Sequence, residues 1–279
     1  KGAIANGVEQ GQADHIFNLM EKFAGYGFNK PHSVCYALVA YQTAWLKHYF
    51  PADFMAAVLS ADMQNTEKVV INVEEIREMK LKLLPPDINR GKFRFVAEDP
   101  KCIVYGLGAI KGLGEGPVDM IVNSREADGQ FNDLFHFCDR MDGRKVNKKS
   151  IEALIGSGAF DELVPVEISK TKIDDQVGYK RALLYANQED AVQLAEQRGR
   201  NADSGHTDLF GEVSVSDSGS GYGYNHHQNL RCMTLKDRLN KERDTLGLYL
   251  TGHPIDVYRK ELKHLAKTRI VDLRLNKVE

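Results

Sequence analysis

Apolar positions recur at helical spacing through the first third of the chain. From Val34 they run Val34, Leu38, Tyr41 and Trp45, with Cys35, Val39 and Leu46 beside them, a broad stripe along one helix. Asn29 and Pro31 suit the start of that helix, and Pro51 follows its end. A second helix is predicted over about 52–61. A third follows Asn65-Thr66 and carries Val69, Val73 and Ile76 on one face. Pro85-Pro86 then break the chain. Phe93 and Phe95, then Ile103 to Tyr105, are β-type residues on either side of a polar turn and predict a short β hairpin near 93–105.

Residues 101–163 read as one compact unit. Beyond Leu163 the apolar pattern weakens. One helix is predicted over about 179–198, rich in Ala, Leu, Gln and Glu. Residues 199–229 are dominated by Gly, Ser, Asp and Asn and read as a disordered linker. Order is expected to return near Leu235 with a charged helix that ends in an apolar patch, closed by Gly252-His253-Pro254. The fold class expected is therefore mainly α, with a short β hairpin and a linker.

Composition changes this picture little. The 279 residues are 42% apolar and 27% charged, enough for real cores in one large domain or two to three small ones. A net charge of −2 supplies no global field toward nucleic acid, so any such contact must come from local geometry. No apolar run approaches the ~20 residues needed to span a bilayer. The opening KGAIANGVEQ shows no signal peptide and no start methionine, and a segment of a longer protein is expected. Cys35, Cys102, Cys138 and Cys232 lie far apart with no CxxC pair, as expected of reduced thiols in a cytoplasmic protein. His226-His227 has no further ligand at zinc spacing, so no metal is expected.

Local geometry does point somewhere. The run Gly106-Leu107-Gly108-Ala109-Ile110-Lys111-Gly112-Leu113-Gly114-Glu115-Gly116-Pro117 precedes a helix with Val118, Ile121 and Val122 on one side. In Gly112-Leu113-Gly114 the leucine is expected to plug into the core while the glycines turn tightly and let a phosphate approach. Successive amides there, with the N-terminus of the next helix, make an anion site. Such a turn holds a backbone without reading bases. A second copy is expected at Gly156-Ser157-Gly158, behind Ile151, Leu154 and Ile155, so that two turns could clasp two strands of one duplex. Between them Arg140, Arg144, Lys145, Lys148 and Lys149 against Asp142 give a local charge of +4. A solvated helix start would explain such a run in isolation. Beside two glycine turns, phosphate contact by Arg144, Lys145, Lys148 and Lys149 is the stronger reading.

Longer motifs carry a resemblance. Tyr26-Gly27-Phe28-Asn29-Lys30-Pro31-His32-Ser33, Tyr36-Ala37-Leu38-Val39 and Tyr41-Gln42-Thr43-Ala44-Trp45-Leu46-Lys47 resemble the fingers of the C-family DNA polymerases, the bacterial replicative DNA polymerase III alpha subunits. So do Leu84-Pro85-Pro86-Asp87-Ile88-Asn89, Tyr105 to Gly112, Ser157-Gly158-Ala159-Phe160-Asp161 and Thr245 to Pro254, in family order; only about 164–235 lacks strong matches. The resemblance implies that Lys30 and His32 face the incoming deoxynucleoside triphosphate, the histidine near its sugar. Pro31 stands where a small polar residue is expected. It also implies that His206-Thr207-Asp208-Leu209-Phe210 is a sliding-clamp-binding pentapeptide, with His206 where glutamine is usual. A Leu-Phe pair in a stretch without a core independently suits a docking motif. Catalysis in the family uses palm aspartates and Mg, both expected outside this chain, so the chain alone is expected to be inactive. Asp62, Asp87 and Asp133 read as caps or solvated surface.

The organisation expected is the end of the fingers over 1–92, a tandem helix-hairpin-helix domain over 93–163, a helix and linker with the clamp motif over 164–234, and a connector over 235–279 toward an oligonucleotide-binding barrel. Duplex DNA, the clamp, other replicase subunits and the nucleotide are the expected partners, with no membrane. Two other classes stay open. A base-excision glycosylase also pairs a glycine hairpin with an aspartate, and Asp133 follows Gly112 by 21 residues. A non-enzymatic DNA-binding module is the other.

Overall fold

The computed structural model describes residues 1–25, 30–164, 175–204, 224 and 230–265. Its elements are α1 (Gly2–Ala5), α2 (Gln10–Gly25), α3 (Lys30–Tyr49), α4 (Pro51–Asp62), α5 (Thr66–Glu78), β1 (Lys82–Leu84), β2 (Val96–Asp99), β3 (Cys102–Val104), α6 (Glu115–Asp128), α7 (Leu134–Arg140), α8 (Lys148–Ser157), α9 (Gln176–Ser204), α10 (Leu235–Leu246) and α11 (Arg259–Leu265). The architecture is mainly α with one small sheet, as the periodicity predicts. The helices expected near 34–50, 52–61 and after Thr66 correspond to α3, α4 and α5. Pro51 sits in the first turn of α4, where its missing N–H costs nothing. Asn65 caps α5 by accepting from the Lys68 amide.

β3 lies between the other two strands. It pairs antiparallel with β2, Val96 opposite Val104, which is the hairpin expected near 93–105. Two details differ from expectation. Phe93 and Phe95 precede β2 rather than forming it: the Phe95 amide is taken by the Ser60 hydroxyl at 3.0 Å and its ring packs on Tyr105. A third strand, β1, runs parallel to β3 with Lys82 opposite Cys102. Three residues are too few for periodicity to reveal it.

One hydrophobic cluster joins Met55, Leu59, Val69, Val73 and Ile76 of α4 and α5 to Phe95, Leu107, Leu154, Phe160 and Leu183. The expected boundary after residue 92 therefore does not separate two cores. α9 lies against both α7 and α8, and α10 against α8. Tyr224 is fully buried beside Phe135 and its hydroxyl accepts from the Leu134 amide at the start of α7.

α2 and α3 differ in kind. The stripe that predicts α3 forms a helix, yet Tyr36, Leu38 and Tyr41 remain 64%, 57% and 68% exposed, and no described element covers them. Lys47 ties the end of α3 to Glu75 of α5 through an ion pair. The pentapeptide 206–210, most of the 199–229 stretch, Asn29 and residues 266–279 lie outside the described residues.

Candidate nucleic-acid interface

The Gly112 turn has the shape the sequence predicts. Leu113 is 4% exposed and joins the core, while Lys111, Gly112, Gly114, Glu115 and Gly116 face solvent. Gly112 adopts φ +88°, a left-handed conformation that strains any L side chain, and nothing lies within 4 Å of the position a Cβ would take. Gly114 caps α6 in an extended conformation with no side-chain cap bond. The first-turn amides of α6 therefore lack partners of the helix's own and point outward with the positive end of its dipole. Glu115 occupies that first turn and stabilises the helix start in the absence of an external anion. Below the turn, the Leu113 amide donates to the Ile110 carbonyl at 3.1 Å and the Lys111 amide to the Thr245 carbonyl at 2.8 Å. A cleft of about 400 Å³ runs alongside, bordered by Thr66, Val69, Phe93, Tyr105 and Leu246. The arrangement can accept an anionic oxygen on exposed amides, with the Lys111 ammonium adjacent.

The second turn is packed differently from the first. Gly156 and Ser157 are the last residues of α8, and both are buried. Gly158 ends the helix at φ +89°, but Arg181 of α9 covers it: a Cβ there would meet the guanidinium at 2.4 Å. A Cβ on Gly156 would meet the Tyr185 hydroxyl at 2.9 Å and the Thr245 methyl at 3.1 Å. The Ala159 carbonyl is taken by the Ile88 amide. Gly156, Ser157 and Gly158 thus serve close helix packing and offer no open amides to a phosphate. The glycine pattern is the same at both places; what differs is that α9 and α10, distant in sequence, lie over the second.

The basic segment is also partly committed. Arg140 donates to the Gly129 and Ser124 carbonyls and lies over the Phe131 ring at 4.4 Å, so it holds the loop after α6. Lys148 pairs with Glu189 of α9, and that hydrogen bond holds its ammonium above the usual lysine range. Arg144, Lys145 and Lys149 are exposed and make no ion pair among the described residues. α8 places these cations at its N-terminal end. Its C-terminal end meets α10 and, through Thr245, the Gly112 turn, so the two features lie about 15 Å apart along the helix axis.

Lys30 and His32 open α3, and the His32 ring sits 4.3 Å from Tyr36. Asp133 caps α7 by accepting from the His136 amide at 2.7 Å. Asp62 pairs with Lys68, and Asp87 accepts from the Asn89 amide while burial pushes its carboxyl above the usual range. Among the described residues no group of three or more His, Cys, Asp or Glu could hold a metal ion, and no helix is long and apolar enough to cross a membrane.

Sequence reasoning missed Arg181, Glu242 and Thr245. Arg181 is fully buried and donates to Asp161 at 2.9 to 3.1 Å and to Glu242 at 2.9 Å. Nothing in its sequence neighbourhood marks it: it sits among apolar residues on the buried face of α9, where an arginine needs a partner only tertiary packing can supply.

The open glycine turn, its plugged leucine and the helix that starts on it define the class: residues 80–170 match the family model described as a helix-hairpin-helix motif. The particular relatives are more specific. Over 98% of its length the chain is 54% identical to the DNA polymerase III subunit alpha of Pseudomonas aeruginosa. It is 49% identical over 99% of its length to that of Vibrio cholerae, and 46% identical over 98% to that of Escherichia coli strain K12. The chain spans 22 to 23% of the length of these relatives, so what it resembles is one segment of such a subunit.

Proposed function

We propose that this chain is the duplex-gripping and clamp-tethering segment of a replicative DNA-directed DNA polymerase, a nucleotidyltransferase of the cytoplasm. The observation that carries the reading is the Gly112 turn: two exposed glycines around a buried leucine, abutting the uncapped start of α6. A phosphate oxygen fits those amides without any base contact, as a polymerase that must hold every sequence equally requires. Arg144, Lys145 and Lys149 supply a second, longer-range contact to the same backbone, and Lys148 joins them by exchanging Glu189 for phosphate.

Lys30 and His32 at the start of α3 take the nucleotide-facing role, where cations and a helix N-terminus favour phosphate. Residues His206-Thr207-Asp208-Leu209-Phe210 tether the segment to the sliding clamp, and other replicase subunits complete the assembly. Chemistry belongs to palm aspartates and Mg supplied by the rest of such a polymerase. Among the described residues no cluster of carboxylates fits that metal site.

One experiment separates the parts. Duplex and clamp binding are measured for the chain, for Lys148→Glu with Lys149→Glu, and for Leu209→Ala with Phe210→Ala. The lysine pair is expected to weaken duplex binding and to lower the slope of log affinity against log salt by about 0.9 for each phosphate that is no longer neutralised. The Leu-Phe pair is expected to abolish clamp binding and leave duplex binding intact. Duplex affinity unchanged by the lysine pair at moderate salt removes the basic segment from the interface; clamp binding retained by the other variant moves the tether elsewhere.

A further inference from the structure

The two glycine turns of the helix-hairpin-helix region are linked through one helix that belongs to neither. Glu242 of α10 is fully buried, and its Oε1 accepts from Arg181 Nη1 at 2.9 Å and from the Thr251 hydroxyl at 2.6 Å. Its Oε2 accepts from the Leu250 and Thr251 amides at 2.9 and 3.1 Å. Arg181 in turn grips Asp161, just past the second turn, by three hydrogen bonds and covers Gly158. Burial works against the Arg181 charge, and the two carboxylates more than offset it, holding its pKa above the ordinary arginine value. One turn further along α10, the Thr245 carbonyl accepts from the Lys111 amide, the residue before Gly112. That carbonyl is one of the four a helix end leaves without a partner; Gly247 caps α10 by donating to the Arg243 carbonyl, and the exposed turn supplies the partner for Thr245. Leu246 beside it is buried and borders the cleft next to the turn.

A rigid helix held at Glu242 therefore delivers an acceptor to Lys111 three residues on. We propose that α10 is a strut that sets the conformation of the Gly112 turn, and that Arg181, Asp161 and Glu242 are positioning residues for the backbone grip. The buried second turn then acquires a task. It does not touch DNA; it anchors the strut that shapes the turn that does. The part of this inference that concerns DNA rests on the duplex-gripping reading above; the coupling between triad and turn does not.

The test uses the whole chain and two readouts. Glu242→Gln keeps an oxygen for the Leu250 and Thr251 amides but loses the charge that holds Arg181. In the isotope-labelled protein, the Lys111 amide is expected to exchange its hydrogen about tenfold faster, while the amide of Leu59 in α4 exchanges as before. Duplex affinity is expected to fall about fivefold with no surface residue altered. Thr251→Val removes a single hydrogen bond to Glu242 and is expected to shift both readouts the same way by less; it carries the test if Glu242→Gln does not fold. Gly112→Asp serves as the control, weakening duplex binding at the turn itself. Lys111 exchange unchanged in both Glu242→Gln and Thr251→Val overturns the strut. Faster exchange with duplex affinity unchanged, while Gly112→Asp does weaken it, overturns the positioning role. If Gly112→Asp leaves duplex binding unchanged, the duplex-gripping reading fails and the exchange data still decide the coupling.

Discussion

Gly112 and Gly158 share a left-handed backbone, φ +88° and +89°, but not a purpose. Around Gly112 there is open space, and the missing side chain matters to something that approaches from solvent. Around Gly158 there is Arg181, and the missing side chain matters to packing. The cysteines divide in the same way. Burial pushes the Cys138 thiol up to about 12 and also raises that of Cys102, whereas Cys35 is exposed on α3. Since the thiolate is the nucleophile, Cys138 is expected to stay unmodified by iodoacetamide at pH 8 while Cys35 is alkylated, as peptide mass mapping would show. Labelling of Cys138 at the rate of Cys35 would mean that α7 does not pack as described. At this scale the sequence is readable only in part. Leu113 between two glycines announces a buried plug, because no other arrangement suits an apolar residue there. Arg181 announces nothing, since its partners Asp161 and Glu242 are 20 and 61 residues away.

Among the elements, α8 joins the two parts of the candidate interface. Its N-terminus presents Lys148 and Lys149, and its C-terminus packs under α10. Asn147 caps it by accepting from the Ser150 amide at 3.1 Å. Asn147→Ala is expected to cost about 1 kcal/mol of stability in urea unfolding, with the slope against denaturant unchanged. No loss of stability would place the start of α8 elsewhere. Helices and their ends were legible because caps, prolines and apolar stripes are local: Asn65 and Pro51 each sit where an end is found. β1 was not, because a strand of three residues exists only through its pairing with β3. The exposure of α3 was not legible either. Its stripe predicts a helix and a buried face, and periodicity says nothing about which element supplies the cover.

For the whole molecule, a single core extends from α4 to α10 and carries the exposed turn on one edge. The similarity to DNA polymerase III alpha subunits reaches nearly the whole chain, although the region around 164–235 lacks motifs that announce themselves. The resemblance was legible from long motifs such as Tyr105 to Gly112 and Thr245 to Pro254. Those motifs now have physical content: the first leads into the turn, and the second supplies the Thr245 carbonyl and the Leu250 and Thr251 amides that build the strut. What sequence pattern does not separate is a clasp of two open turns from one open turn braced by a closed one. That distinction lies in tertiary packing.

The most direct measurement is the affinity of the chain for an arbitrary duplex, by fluorescence anisotropy, with Gly112→Asn and Gly112→Asp beside the parent. Asn and Asp both tolerate the left-handed backbone better than other side chains, so the two variants share bulk and fold and differ in charge. A grip on phosphate predicts a modest loss for Gly112→Asn and a loss of about tenfold or more for Gly112→Asp, as like charge and a blocked amide combine. Equal affinity across all three proteins would contradict the claim that this turn holds DNA.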